Sequence, residues 1–221
     1  MLEFRNVTGN SKSIFKNRRK FNLNDISFIA ETGYITGITG VNGAGKTTLF
    51  HYIIDRNAQY TGEILYNGVN IRDNFDDFKN QMAFISDEKR FFEDFSIGEN
   101  ISLLSGFFTN WDDELFKDKL KSFGIPLGRK LSALSRGEYL KFQLAFSLAH
   151  NATLYLLDEA TAGMDPVFRK DFFNMLHELI AREDITILMT THIEEEISIH
   201  MDYKGILENG KLIVFKEVEV K

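Results

Sequence analysis

Gly40-Val41-Asn42-Gly43-Ala44-Gly45-Lys46-Thr47 is the stretch on which the reading of this chain turns. It fits G-x-x-x-x-G-K-[ST], the pattern of a phosphate-binding loop. The glycines let successive backbone N–H groups turn inward around one anion. The apolar run Tyr34 to Thr39 before it reads as a buried strand, and Thr47 to Ile54 after it as a helix. That helix would add its positive N-terminal end. Lys46 offers a cation to the outer phosphates, the Thr47 hydroxyl can ligate Mg²⁺, and Thr48 adds a further phosphate contact. Asn42, Gly43, Ala44 and Gly45 complete the candidate cradle. The loop specifies a nucleoside triphosphate without saying which reaction follows.

Working outward, Leu2 to Thr8 and Ile26 to Ala30 alternate as strands do, and Asn67-Gly68 inside Glu63 to Ile71 marks a hairpin. Met82 to Ile85, Thr153 to Leu157 and Ile185 to Thr190 are apolar runs expected of strands buried on both faces. Between them, Ile97 to Phe108, Asp112 to Phe123 and Arg136 to His150 carry helical spacing, with Pro126 and Gly128 as breakers. Pro166 to Arg182 is expected to be a helix opened by Asp165, and Gly205 to Phe215 holds a second Asn-Gly turn at Asn209-Gly210. The alternation predicts an α/β fold with a mostly parallel sheet, an antiparallel β part near the N-terminus and an inserted helical block.

Composition bounds the function. The chain has 221 residues, 26 basic and 32 acidic, for a net charge of −6. An acidic chain is a poor nucleic-acid binder, so no nucleic-acid partner is expected, and the basic cluster Lys16 to Lys20 reads as a solvated loop. With no cysteine, disulfides and thiolate metal sites are excluded. Met1 to Arg5 lacks the apolar run of a signal peptide, and no stretch reaches the roughly 18 apolar residues needed to span a bilayer. Any membrane role is therefore expected to run through a partner.

Two further constellations narrow the chemistry. Leu154-Tyr155-Leu156-Leu157-Asp158-Glu159 is an apolar strand ending in two carboxylates, and such a strand delivers its last residues to the phosphate-binding edge of the sheet. Asp158 can hold Mg²⁺ through water, and Glu159 can orient and polarise an attacking water. Leu134-Ser135-Arg136-Gly137-Glu138 opens a helix with Ser135 at the N-cap.

Phosphate loop, Leu134–Glu138, double carboxylate, Ala162-Gly163-Met164-Asp165 and Thr190-Thr191-His192, in this order, resemble the ABC (ATP-binding cassette) ATPase family over nearly the whole chain. The resemblance implies a P-loop NTPase (RecA-like) core, spanning 1–86 and 151–221, and a helical subdomain, 87–150, within one domain of 1–221. It implies ATP and Mg²⁺ as cofactors. Leu134–Glu138 takes the place of the family's signature, Ala162–Asp165 its D-loop, and His192 its switch histidine at the γ-phosphate. The family hydrolyses ATP between two head-to-tail subunits. Ser135 and the Gly137 N–H would then form a second anion cradle for ATP held by the partner. The implied partners are a second ABC ATPase subunit, as a homodimer, and a separate transmembrane permease. The implied location is the cytoplasmic face of the membrane.

The chain departs from the pattern at three positions. Asp87 stands where the family's glutamine is usual, a carboxylate that can still reach Mg²⁺; Arg136 and Glu138 replace a signature Gly and Gln. Phe15 is the candidate for stacking adenine, with Phe21 as competitor. The segment Phe107 to Leu134 resembles small ABC-2 type exporter ATPases, in particular a bacterial branch exporting antimicrobial or amphipathic peptides. The alternative is a soluble ABC ATPase not tied to transport, such as an iron–sulfur assembly type. The face from Asp87 to Phe95, with Phe91, Phe92 and Phe95, is expected to receive a coupling helix of the membrane partner.

Overall fold

The computed structural model describes residues 1–10 and 22–219, so Phe15, Phe21 and the cluster Lys16 to Lys20 lie outside the described residues. Six strands form the central sheet: β3 (Ile35–Thr39), β6 (Met82–Ser86), β7 (Leu154–Asp158), β8 (Thr186–Thr190), β9 (Tyr203–Glu208) and β10 (Lys211–Glu217). Their order is β10-β9-β3-β8-β7-β6. All neighbours run parallel except β10 against β9. A second sheet, β2-β1-β4-β5, is antiparallel and comprises β1 (Leu2–Asn10), β2 (Asn22–Ala30), β4 (Tyr60–Tyr66) and β5 (Val69–Asn70). The fold is α/β with a mostly parallel sheet, as the sequence pattern predicts.

The apolar strands are continuous because both faces are covered. Leu154 and Leu156 of β7 face a core shared with the antiparallel sheet and α1 (Lys46–Ile54). Tyr155 and Leu157 face the opposite core, with Phe172, Phe173 and Leu176 of α6 (Pro166–Ile180). Alternate residues of a strand point to opposite faces, so a strand covered on both has no polar phase.

Between β6 and β7 lie α3 (Ile97–Leu104), α4 (Asp113–Ser122) and α5 (Arg136–Ala149). They close over a third apolar cluster that includes Ile97, Phe116, Leu120, Phe142 and Phe146. Two short helices had no counterpart in the sequence reading. In α2 (Phe75–Gln81) only Phe75 and Phe78 are buried, a single i, i+3 pair too sparse to set a period. In α7 (Glu194–His200) three consecutive glutamates hide the apolar face.

Both Asn-Gly turns have positive φ at each residue, 50° and 80° at Asn67-Gly68 and 47° and 78° at Asn209-Gly210. This is the type I′ geometry whose twist matches a hairpin. The second turn also braces the phosphate loop: the Gly210 N–H donates to the Ala44 carbonyl at 3.0 Å. Gly40 meets the same hairpin so closely that a Cβ there would lie 2.3 Å from the Leu207 carbonyl oxygen.

Candidate functional site

Parallel pairing brings the site together. Ser86, Asp158 and Thr190 are register partners, and Thr190 pairs with Ile38. Four strands therefore end side by side, and Gly40, Asp87, Glu159 and Thr191 each follow one of those ends. In such sheets ligands bind outside the carboxyl ends of the strands.

The N-terminus of α1 is prepared for an anion. Gly45 occupies the N-cap at φ 117°, with no side-chain cap and no acidic residue in the first turn. A lysine at the first helical position opposes the helix dipole unless negative charge comes from elsewhere. Among the described residues, its chain neighbours apart, nothing stands within 4 Å of where a Cβ on Gly43 (φ 83°) would lie. The Lys46 side chain is only 5% exposed; its Nζ donates to the Gly40 carbonyl at 2.8 Å and stands 3.2 Å from Glu159 Oε1. These features fit a bound phosphate chain.

Asp158 and Glu159 have different surroundings. Asp158 accepts a 2.6 Å hydrogen bond from Thr190 Oγ1. Burial holds its carboxyl above the ordinary carboxylate range, while the Thr190 and Thr47 hydroxyls pull it back down. The Thr47 hydroxyl and the Asp158 carboxylate therefore face one another. Mg²⁺ keeps several waters and takes few protein ligands, so these two plus phosphate oxygens suit it. Glu159 is held at φ 47°, in the left-handed region, with its N–H donating to Thr190 O and Oγ1, both at 3.1 Å. Backbone strain of this kind collects at functional positions. The bend aims the carboxylate between Lys46 and His192, whose Nδ1 lies 3.8 Å from Glu159 Oε2.

Asn42 and Thr47 are exposed, and Thr48 is half-buried, on or beside the α1 N-terminus. Ser135 and Gly137 sit on α5, and their contacts run elsewhere. The Ser135 hydroxyl accepts from Glu138 N, and Glu138 Oε2 accepts from Ser135 N at 2.8 Å, a closed capping box. Arg129 grips the Glu138 carboxylate at 2.5 Å. Gly137 packs against Phe168, where a Cβ would approach to 2.7 Å. This close helix contact is a reason for glycine that the motif did not suggest.

Asp87 Oδ2 accepts a hydrogen bond from Arg136 Nη2 at 3.2 Å. Two departures from the family's pattern are therefore each other's partners. The carboxylate also offsets a guanidinium at a helix N-terminus, where positive charge is unfavourable. Sequence reasoning missed Gln143, which bonds both Ser86 N (3.2 Å) and Ser86 O (2.8 Å) and ties α5 to the end of β6. It missed Thr190 as the hydroxyl partner of Asp158. Gln143 lies in no local motif, and the one that holds Thr190 points to His192 instead. The aromatic cluster divides: Phe91 packs on Phe142 at 4.9 Å and Phe146 at 5.2 Å, whereas Phe92 and Phe95 are exposed.

A parallel sheet with an uncapped glycine-led helix, a buried lysine and paired carboxylates at one edge defines a nucleoside-triphosphate-hydrolysing P-loop protein. The ABC transporter family model matches residues 23–162. The ABC transporter ATP-binding protein YtrB of Bacillus subtilis is 30% identical over 212 residues, covering 96% of this chain and 70% of that protein. The bacitracin transport ATP-binding protein BcrA of Bacillus licheniformis is 27% identical over 193 residues, 86% of this chain and 63% of its own length. Of the Escherichia coli protein YbhF, a probable multidrug ABC transporter ATP-binding protein, the chain spans only 33%. The solved ATP-binding subunit of an ABC transporter superposes with a TM-score of 0.84 at 23% identity, covering 99% of this chain and 90% of that one. The chain belongs to the ABC transporter family, as its ATP-binding ATPase subunit.

Proposed function

We propose that the chain powers an exporter. In this reading two copies close around ATP and drive a separate transmembrane permease at the cytoplasmic face of the membrane, with antimicrobial or amphipathic peptides as cargo. The observation that carries the ATPase core of this reading is the convergence of Lys46, Glu159 and His192 beside an uncapped helix N-terminus. The name of the bacitracin transport relative supports a peptide cargo. The resemblance of Phe107 to Leu134 to exporter ATPases supports the direction. Among the described residues no helix is long and apolar enough to cross a membrane. A permease partner has an exposed apolar groove to meet: Phe95, Leu103 and Leu127 line it, with Phe92 beside Phe95. An amphipathic coupling helix is its proposed occupant.

The chemistry follows from the side chains. The first-turn N–H groups of α1 take the phosphate chain, and Lys46 turns from Glu159 to the outer phosphates. Mg²⁺, held by Thr47 and through water by Asp158, would neutralise phosphate charge when bound. Released from Lys46, Glu159 orients a water in line with the γ-phosphorus and draws on its proton. The water oxygen bonds to phosphorus as the β–γ bridge breaks, leaving ADP and phosphate. His192 contacts the departing γ-phosphate. Ser135 and the Gly137 N–H of the second copy complete the site from the opposite side. The same reading keeps Phe15 as the adenine platform and Asp87 as an outer metal contact once Arg136 lets go.

Glu159→Gln tests this. ATP binding is expected to persist while hydrolysis falls by about a hundredfold or more. The variant's mass in solution should double on adding ATP and Mg²⁺. Near-normal hydrolysis overturns the role of Glu159, and a chain that binds ATP yet stays monomeric overturns the homodimer.

A further inference from the structure

Glu196 is a carboxylate buried to 4% exposure that the chemistry above does not use. Burying a carboxylate is costly unless its oxygens are satisfied. One oxygen, Oε2, accepts a 2.7 Å hydrogen bond from Thr191 Oγ1. Among the described residues the other has no hydrogen-bond partner, and Arg169 Nη1 stands 3.9 Å away. An arrangement this incomplete in a core calls for an explanation beyond packing.

The explanation lies at the start of the helix that carries Glu196. Helix α7 begins after Ile193, an N-cap residue whose side chain cannot cap. The Ile193 N–H donates instead to Thr191 Oγ1 at 3.1 Å, and that hydroxyl in turn donates a hydrogen bond to Glu196 Oε2. Thr191 is itself 2% exposed, and its N–H donates to the Ile38 carbonyl on the strand that feeds the phosphate loop. His192 is thus held between two anchored neighbours while its ring remains 53% exposed beside Glu159. Arg169 brings in α6, since its N–H donates to the carbonyl of Asp165, the residue that caps that helix after the Ala162–Asp165 loop.

We infer that Glu196 is a positioning residue for His192. Through Thr191 it fixes the backbone from which the imidazole reaches the γ-phosphate, and through Arg169 it joins that backbone to the helix following the D-loop position. The inference deepens the proposed role of His192 and rests on it. Hydrogen bonds in such a chain strengthen one another, so the relay acts as one unit.

The test is a mutant cycle read in steady-state ATP hydrolysis with the full chain. Glu196→Ala and Thr191→Val are each expected to lower kcat about tenfold or more, with KM for ATP within about twofold, because displacement near the reacting atoms costs rate before binding. Glu196→Gln keeps an acceptor for Thr191 and should restore most of the rate. In a His192→Ala background neither Glu196→Ala nor Thr191→Val should cost anything further, since residues acting as a unit are non-additive. A purely structural role would lower the rate by the same factor in both backgrounds, and that result overturns the inference while leaving His192 in place. A His192→Ala protein that hydrolyses ATP normally overturns the role of His192 and the inference together. Thr191→Val, nearly equal in volume, keeps the test valid if Glu196→Ala fails to fold.

Discussion

Two helices of this chain open on glycine-containing segments read as anion cradles, and they are built in opposite ways. The α1 N-terminus has a glycine cap, no side-chain cap, no first-turn acid and a buried lysine. The α5 N-terminus satisfies itself: Ser135 and Glu138 exchange hydrogen bonds, and Arg129 locks Glu138 in place. The described α2, α3, α4 and α7 all carry acids in the first turn, and α6 is capped by Asp165. Only α1 among the described α-helices lacks both devices. An orphan N–H array is left for water or a ligand to meet, so α1 has backbone donors on offer where the α5 N-cap is already bonded. The Ser135 hydroxyl, occupied as an acceptor, still has a proton to donate. The α5 cradle can therefore add a contact to a nucleotide held elsewhere, which suits the part proposed for it opposite a second copy.

Substitutions should separate the two. Lys46→Ala is expected to weaken ATP binding to the isolated chain by about a hundredfold or more, the scale for removing one member of a buried charge pair. Ser135→Ala should leave that affinity within about twofold. Equal losses in equilibrium titrations would erase the distinction.

A second contrast concerns anchoring of α5 at its far end. His150 closes that helix, stacked on Phe108 at 4.3 Å, and burial depresses its pKa from 6.5 to about 4. A base whose folded pKa is depressed binds fewer protons folded than unfolded. Stability should therefore fall as pH drops from about 6.5 toward 4, by about 3 kcal/mol in total. Denaturant titrations of His150→Phe across that window should lose this part of the slope, and an unchanged slope would place its origin elsewhere. The smallest effect is expected for the cap itself. Ser135→Ala should cost about 1 kcal/mol in unfolding free energy, because the capping box is structural before any ligand arrives. No loss at all would mean that α5 too leaves its N-terminus open.

The two helices also differ in how legible they were. Everything local to α1 could be read from Gly40 to Thr47, because the spacing of backbone donors, cation and hydroxyl is fixed within one turn. The fold class was legible for a similar reason: strands buried on both faces leave uninterrupted runs such as Leu154 to Leu157. The surroundings of α5 were not. Asp87 with Arg136, Gln143 with Ser86 and Arg129 with Glu138 depend on where a returning helix lands, which no period in the sequence encodes. Glu196 was hidden in a run of three glutamates that reads as a solvated face. Phe91 could not be told from Phe92, since both are aromatic and only packing separates them.

The brace between Ala44 and Gly210 has a consequence for biogenesis. The phosphate loop lies at residues 40–47, yet the Gly210 amide that holds the Ala44 carbonyl, and the Leu207 carbonyl that abuts Gly40, belong to the distant hairpin of β9 and β10. A ribosome that has released the first two hundred or so residues has therefore translated the whole loop without supplying its support. Contacts so distant in sequence form late and slowly. Nucleotide capture thus waits for the β9–β10 hairpin to be made, and a chain cut short before it should emerge without a competent cradle.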